Sequence, residues 1–482
     1  MSRDRELTRR QLLRGVGLTA AAVATASGVA AITHKGPFAA ARRPMNVIAV
    51  MLDDNEAGAI DARSMPYLES DPFGSWIRFT NAVMSTPLCH PARQTLSCGQ
   101  RSDHHGQIEN AGFPELDPAD NVGTWLADVG WDTAFVGKLF NGWPWNDFDA
   151  HDPRGWGRLF ANGESSVYFG WTAYQEDGSK VTSETEYWTD RIVAEAVDWL
   201  ATATEPFILR LDPNVPHGPP APARRHEGLD CGGGTSADDP PGFNQQIADA
   251  PEHMIRPRLT PAERQAMRSQ RATARRCLRS VDEGMQRVFE AVEARGFMAN
   301  TSVWFLNDNG TSRGRHRLDA EVSSGTSSSK RRPYRWCTDA QLRVRWPGQP
   351  SRTEERLVSS CDLPATWAAM GGAVPTVAQD GIDIRPLLDD RAGSGWRSSV
   401  ESTFLAAKMD IPTWWSVLTR APDGSESWRY TEYETGETEL FDQISDAAEV
   451  VNLSAAPEHA ATVDALSRQL RQLIDASEGQ RA

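Results

Sequence analysis

Thr86-Pro87-Leu88-Cys89-His90-Pro91-Ala92-Arg93, running on to Gly99, is the stretch around which the chain is organised. It spaces a cysteine, a proline and an arginine as C-x-P-x-R. Taken alone, it reads as a buried cysteine at a strand end, followed by a helix with Pro91 in its first turn. A second reading puts Cys89 at the positive end of that helix, with Arg93 one turn further on, both facing an anion. The flanking sequence decides between the two.

Upstream, Asn46-Val47-Ile48-Ala49-Val50-Met51-Leu52 is an unbroken apolar run that ends in Asp53-Asp54. Such a run predicts a buried parallel strand. Carboxylates just past its end lie where open α/β sheets bind ligands, and two in a row repel unless a cation lies between them. Downstream, Asp132–Lys138 predicts a short strand ending in Gly137-Lys138. Phe207–Leu211 predicts another, leading to Asp212-Pro213-Asn214-Val215-Pro216-His217, where prolines restrict the direction of the histidine. Ser302–Leu306 predicts a fourth strand, ending in Asn307-Asp308-Asn309-Gly310. Asp53, Asp54, Asp308 and Asn309 form a hard-oxygen set suited to calcium or magnesium rather than zinc. The most basic part of the chain follows, with Arg313-Gly314-Arg315-His316-Arg317 and Lys330-Arg331-Arg332-Pro333-Tyr334, and reads either as a solvated loop or as an anion pocket.

Helical spacing is present at 185–203, 263–296 and 457–477, and a Pro/Gly-rich insert at 221–262 reads as a lid or a partly disordered loop. The pattern predicts an α/β fold, a large mixed, mostly parallel sheet flanked by helices, with a smaller C-terminal α+β subdomain. The expected divisions are 1–41 (signal and linker), 44–393 (catalytic domain) and 394–482 (C-terminal subdomain). With 482 residues, 39% hydrophobic and 24% charged, the composition is that of a globular protein, and a net charge of −15 argues against a nucleic-acid binder. Arg9-Arg10 ahead of an Ala/Gly-rich apolar run to Ile32 predicts export by the twin-arginine route. Six cysteines could pair in an exported protein, but none is spaced as a zinc site.

Read together, Cys89-x-Pro91-x-Arg93, Asp53-Asp54, Asp308-Asn309-Gly310, Gly137-Lys138, Pro216-His217, the lysine three residues before Pro333-Tyr334, and Glu439-Leu440-Phe441-Asp442 resemble the motifs of the sulfatase family, in the same order along residues 45 to about 455. The likeness is nearest to the N-acetylglucosamine-6-sulfatase-like and arylsulfatase enzymes of that family. Phe140 stands where many sulfatases have a histidine.

The resemblance implies an alkaline-phosphatase-like fold and a sulfuric ester hydrolase acting on a sulfated sugar or an aryl sulfate. It implies that Cys89 is oxidised to formylglycine (3-oxoalanine) by a formylglycine-generating enzyme. One calcium ion would be held by Asp53, Asp54, Asp308, Asn309 and the modified Cys89. Arg93, Lys138, His217 and Lys330 would act with it in catalysis, and His316 would touch the substrate. The hydrated aldehyde carries two hydroxyls: one attacks sulfur, and the other, once deprotonated, expels sulfate. A phosphoester or phosphonate hydrolase on the same fold is the alternative reading.

Overall fold

The computed structural model describes residues 44–479 apart from 73, 112–116, 118, 144–152, 163–166, 319–329, 394 and 407–410. The segment read as a twin-arginine signal lies outside the described residues. In chain order the strands are β1 (Asn46–Leu52), β2 (Trp76–Phe79), β3 (Ala82–Val83), β4 (Asp132–Lys138), β5 (Arg158–Asn162), β6 (Trp171–Gln175), β7 (Lys180–Ser183), β8 (Phe207–Asp212), β9 (Thr301–Asn307), β10 (Arg343–Arg345), β11 (Arg352–Glu354), β12 (Val358–Ser359), β13 (Ser399–Phe404), β14 (Trp414–Arg420), β15 (Ser427–Tyr433) and β16 (Thr438–Asp442).

A large sheet has the order β11-β2-β10-β9-β1-β8-β4-β5-β6-β7. Its middle, from β9 through β1, β8 and β4 to β5, is parallel throughout. Antiparallel pairing begins at β10 on one flank and β6 on the other. β1 explains the continuous apolar run. Ile48, Val50 and Leu52 face one core, while Val47, Ala49 and Met51 face a second core on the opposite side. The first core is covered by the helices Trp188–Leu200 and Pro261–Ala294. The second is covered by Cys89–Cys98, Val122–Asp128 and Asp362–Gly371. Burial on both faces removes any polar alternation from such a strand.

β13 to β16 form a separate antiparallel meander. The helix Ala460–Gly479 packs Leu466 and Leu470 on Val417, Tyr430 and Leu440 of this sheet. The sheet meets the main body at Leu88, within the opening stretch, through Phe404, Trp414 and Tyr433. The 221–262 insert departs from its reading as a lid. Ile247, Met254 and Leu259 are buried, and the segment is bridged to Arg315 and Val451. Its apolar residues are few but well placed, and Pro and Gly shape it into turns rather than leaving it free.

The parallel register sets Gly137 opposite Asp212. Gly137 has φ +127°, and a Cβ there would lie 2.2 Å from the Asp212 carbonyl oxygen. Gly137→Ala is expected to destabilise the fold by about 3 kcal/mol, read as a lower urea midpoint; an unchanged midpoint would mean that β4 and β8 do not approach so closely.

Candidate active site

Parallel strands bring their carboxyl ends to one edge of the sheet, and the residues singled out above sit just past those ends. Asp53 and Asp54 follow β1, and Asp308 and Asn309 follow β9. Lys138 closes β4, and His217 lies in the loop after β8. Asp54 is held in the left-handed region at φ 56°, a strained turn that an aspartate tolerates better than most residues. Cys89 starts its helix, with Leu88 extended before it, so its side chain faces the same edge.

The side chains converge tightly. Lys330 Nζ donates to Cys89 Sγ at 2.9 Å and to Asp54 Oδ1 at 2.7 Å. Cys89 Sγ lies 3.5 Å from Asp53 Oδ1 and 3.7 Å from Asp54 Oδ1. Lys138 Nζ donates to Asp53 Oδ2 at 2.5 Å. His217 Nε2 is 3.5 Å from Asp54 Oδ2. One ligand atom each from Asp53, Asp54, Cys89 and His217 falls within 4.8 Å of the others, a grouping able to hold a metal ion. Asp308 and Asn309 border it. Asp308 Oδ1 accepts from the Asp54 N–H at 3.1 Å, and Asn309 Nδ2 donates to Asp54 Oδ1 at 2.6 Å. Asn309 Oδ1 is buried without a partner, and a half-turn of that amide presents it as a ligand oxygen. These hard oxygens fit the calcium expected from the sequence.

Electrostatics point the same way. Burial and the neighbouring Asp53 push Asp308 up to about 7, against Arg93 and Lys138. Burial also acts to raise Asp54, but Lys330 and His217 override it and hold that carboxyl well below its usual range. Asp53 is lowered in the same way, with burial opposed by Lys138, His217 and Arg93. The Cys89 thiol is raised by burial, against the pull of Lys138 and Lys330, so as a thiol it is a poor nucleophile at neutral pH. Burial lowers His217, opposed by Asp54 and Asp53.

Arg93 is the brace beneath this cluster. Its Nη1 donates to the Lys138 carbonyl at 2.9 Å and approaches Asp212 Oδ2 at 3.4 Å; its Nη2 reaches Asp308 Oδ2 at 3.0 Å and Asp53 Oδ2 at 3.6 Å. Asp212 was not singled out from sequence. It is gripped by Arg210, whose Nη2 donates at 2.6 Å and whose Nη1 reaches back to the Leu96 carbonyl at 3.2 Å. An arginine inside an otherwise apolar strand was the available signal. Glu439 has a physical role: it accepts from Tyr334 Oη at 3.0 Å and Tyr433 Oη at 2.7 Å. The C-terminal sheet thereby anchors the loop that carries Lys330.

His316 does not join the cluster. It is fully buried, its Nε2 faces the Ala448 carbonyl at 2.9 Å, and its Nδ1 accepts from Trp336 Nε1 at 3.2 Å. Neither nitrogen is left for a substrate, which corrects the expected contact; packing of Tyr334 and Trp336 around the ring is the reason. All six cysteines are free thiols, so the pairing open to an exported chain is not made.

The sulfatase family description matches residues 45–373. The chain belongs to the sulfatase family. It is 25% identical over 390 residues to N-acetylglucosamine-6-sulfatase of Homo sapiens, which spans 76% of this chain and 68% of that protein. It is 25% identical to the extracellular sulfatase SULF-1 homolog of Drosophila melanogaster across 73% of this chain and 32% of that longer protein. In fold it is similar to a solved protein bound to its substrate D-glucosamine-2-N,6-O-disulfate, with a TM-score of 0.72 at 18% identity over 91% of this chain and 98% of the other. This sulfatase is therefore a sulfuric ester hydrolase.

Removing the Arg93 guanidinium strips three carboxylates of a shared partner. Arg93→Ala is expected to cost about 3–5 kcal/mol, as for other broken buried ion pairs, with Arg93→Lys recovering only part because one ammonium cannot bridge several strand ends. Urea unfolding of the two variants checks this; equal stability of Arg93→Ala and the parent would remove the bracing role.

Proposed function

We propose that this sulfatase cleaves sulfate monoesters of a sugar, using formylglycine made from Cys89 and one calcium ion. The observation that carries the reading is the contact of Cys89 Sγ with Lys330 Nζ at 2.9 Å above the paired carboxylates of Asp53 and Asp54. The sugar preference draws support from the human relative's name and from the ligand named for the solved neighbour.

A sulfate ester is anionic, so a nucleophile approaches it only where positive charge is already in place. Asp53, Asp54, Asp308 and Asn309 Oδ1 would hold calcium, which supplies a Lewis acid for sulfate oxygens. Formylglycine, once formed and hydrated, supplies a hydroxyl nucleophile and a second hydroxyl that lets the site reset. Lys138 and Lys330 orient sulfate oxygens by charge-assisted hydrogen bonds. Arg93 sits beneath residue 89 and fixes the strand ends around it. His217 Nε2, once protonated, would donate to the leaving alcohol oxygen, with Asp54 and Asp53 favouring the charged ring against burial; Lys330 is raised by Asp54 against the effect of burial and keeps its proton.

The absence of any disulfide supports folding before export, which the twin-arginine route requires, with modification by a formylglycine-generating enzyme in the same reducing compartment. No helix among the described residues is long and apolar enough to cross a membrane.

Peptide mass spectrometry across Cys89, on protein co-expressed with a formylglycine-generating enzyme, is expected to show the aldehyde. That protein should hydrolyse aryl and sugar sulfates in preference to aryl phosphate or phosphonate esters. An intact thiol in fully active protein, or a preference for phosphorus esters, would defeat the reading.

The metal carries its own pH signature. Without an ion, Asp308 titrates near 7 in the folded chain, above its unfolded value, so the metal-free fold binds an extra proton and loses stability as pH rises towards and through 7. Calcium binds the charged form and reverses that loss. Added calcium should raise stability by about 2.7 kcal/mol at a hundredfold excess over its dissociation constant, and by less at pH 5.5 than at pH 8. Thermal melts with calcium or chelator test this; identical melts would remove the ion.

A further inference from the structure

Arg331 follows Lys330 directly, yet the chemistry above leaves it unused. Its backbone is pinned on two sides. The Arg331 N–H donates to the Pro87 carbonyl at 3.2 Å, two residues before Cys89. Its own carbonyl accepts from Trp414 Nε1 at 2.9 Å, from the C-terminal sheet. Between these anchors its φ is +68°, in the left-handed region. The position is built rather than incidental, because a non-glycine residue keeps such a φ only where its surroundings impose it.

The side chain is half-buried, and among the described residues its guanidinium makes no hydrogen bond or ion pair. Its Nε is closed off from solvent without a partner. Lys138, Lys330 and Arg93 pair here with Asp53, Asp54 and Asp308, and the chemistry above already gives each of them a role. Among the described residues Arg331 has no carboxylate partner; Arg332 beside it is likewise unpaired at Nε and Nη1 but is only 2% exposed. Burial acts to lower its pKa, and Cys89 and Asp54 are the first groups opposing this, so its charge is felt at the nucleophile's position.

We infer that Arg331 is a specificity-determining residue that receives a second anionic group of the substrate, a sulfo or carboxylate group beside the scissile sulfate, on the same sugar or its neighbour. The inference rests on the sulfatase reading above and deepens it. A guanidinium presents a planar fork that takes a sulfo or carboxylate group through two parallel hydrogen bonds. Consecutive Cα atoms are about 3.8 Å apart, so Lys330 and Arg331 serve two anions on one compact ligand. Partial burial raises the value of that pairing above what an exposed arginine would give. A singly charged aryl sulfate leaves the fork to water. The substrate class is therefore a densely charged glycan.

The test compares kcat/KM for glucosamine 6-sulfate, glucosamine bearing both 2-N- and 6-O-sulfo groups, and a 6-sulfated disaccharide whose neighbouring sugar is a uronate. It uses the calcium-loaded, modified enzyme. The parent should favour at least one doubly anionic sugar over the singly charged one by about tenfold, mainly through KM, as expected for one charge-assisted contact; the better of the two identifies the source of the second anion. Arg331→Ala should abolish that ratio, Arg331→Lys should restore part of it, and rising salt should erode it in the parent alone. If alanine lowers the melting temperature, Arg331→Gln provides the same comparison in a folded chain. Equal kcat/KM for singly and doubly charged sugars in the parent, or a ratio unchanged by the Arg331 variants, would overturn the inference while leaving the sulfatase reading intact. Inactivity on all three 6-sulfates would overturn the inference, and inactivity on aryl sulfate as well would overturn the sulfatase reading with it.

Discussion

Three carboxylates crowded into one buried corner set the terms for this molecule. Asp53, Asp54 and Asp308 are all nearly inaccessible, and each is within reach of another's charge. Left uncompensated, such a group would cost many kcal/mol or would stay protonated. Lys138, Lys330 and Arg93 provide the compensation, and each arrives from a different part of the chain: a strand end, a basic loop and a helix. The corner therefore ties together segments far apart in sequence, and its chemistry and its stability rest on the same contacts. A hard divalent ion would complete it, because Asn309 Oδ1 is buried there without a partner beside oxygens grouped closely enough to hold one.

The architecture around the corner follows from that demand. Parallel strands deliver their carboxyl ends to one edge, where helix starts and loops can present cations without threading through the core. The C-terminal sheet reinforces the edge. Trp414 holds the Arg331 carbonyl, and Glu439, through Tyr334, holds the segment just beyond. Glu439 is itself buried, and burial pushes it up to about 7 against its hydrogen bonds from Tyr433 and Tyr334. The loop that brings a lysine to within 2.9 Å of Cys89 is thus positioned by a sheet that contributes no residue to the cluster itself.

The central strands were readable because burial on both faces leaves an unbroken apolar run, as at residues 47–52 and 303–306. Of the flanking strands, Arg343–Arg345 was readable from the run at 342–346 ahead of its Pro-Gly turn, but others were not. Arg158–Asn162 lies in a stretch rich in Trp, Gly and Asp, and Trp76–Phe79 is only four residues long with an arginine inside it. Their strand character comes from neighbours that complete their hydrogen bonds, which no local pattern records. The insert at 221–262 misled for a related reason: its Pro and Gly content describes turns, while Ile247, Met254 and Leu259, spaced without period, are what dock it.

The chain's own sequence determined the kind of chemistry: a cysteine in C-x-P-x-R, paired acids after apolar runs, and lysines and a histidine at matching strand ends. Those are matters of residue type and short-range spacing. Tertiary structure decided which of them meet. It gathered Cys89, Lys330, Lys138, Asp53, Asp54 and His217, brought in Asp212 behind Arg93, and turned His316 into the packing of Tyr334 and Trp336. The physical reason is that a charged side chain's partner is fixed by the direction in which burial forces it. That direction depends on which strands lie side by side, and strand adjacency is set by contacts spanning hundreds of residues.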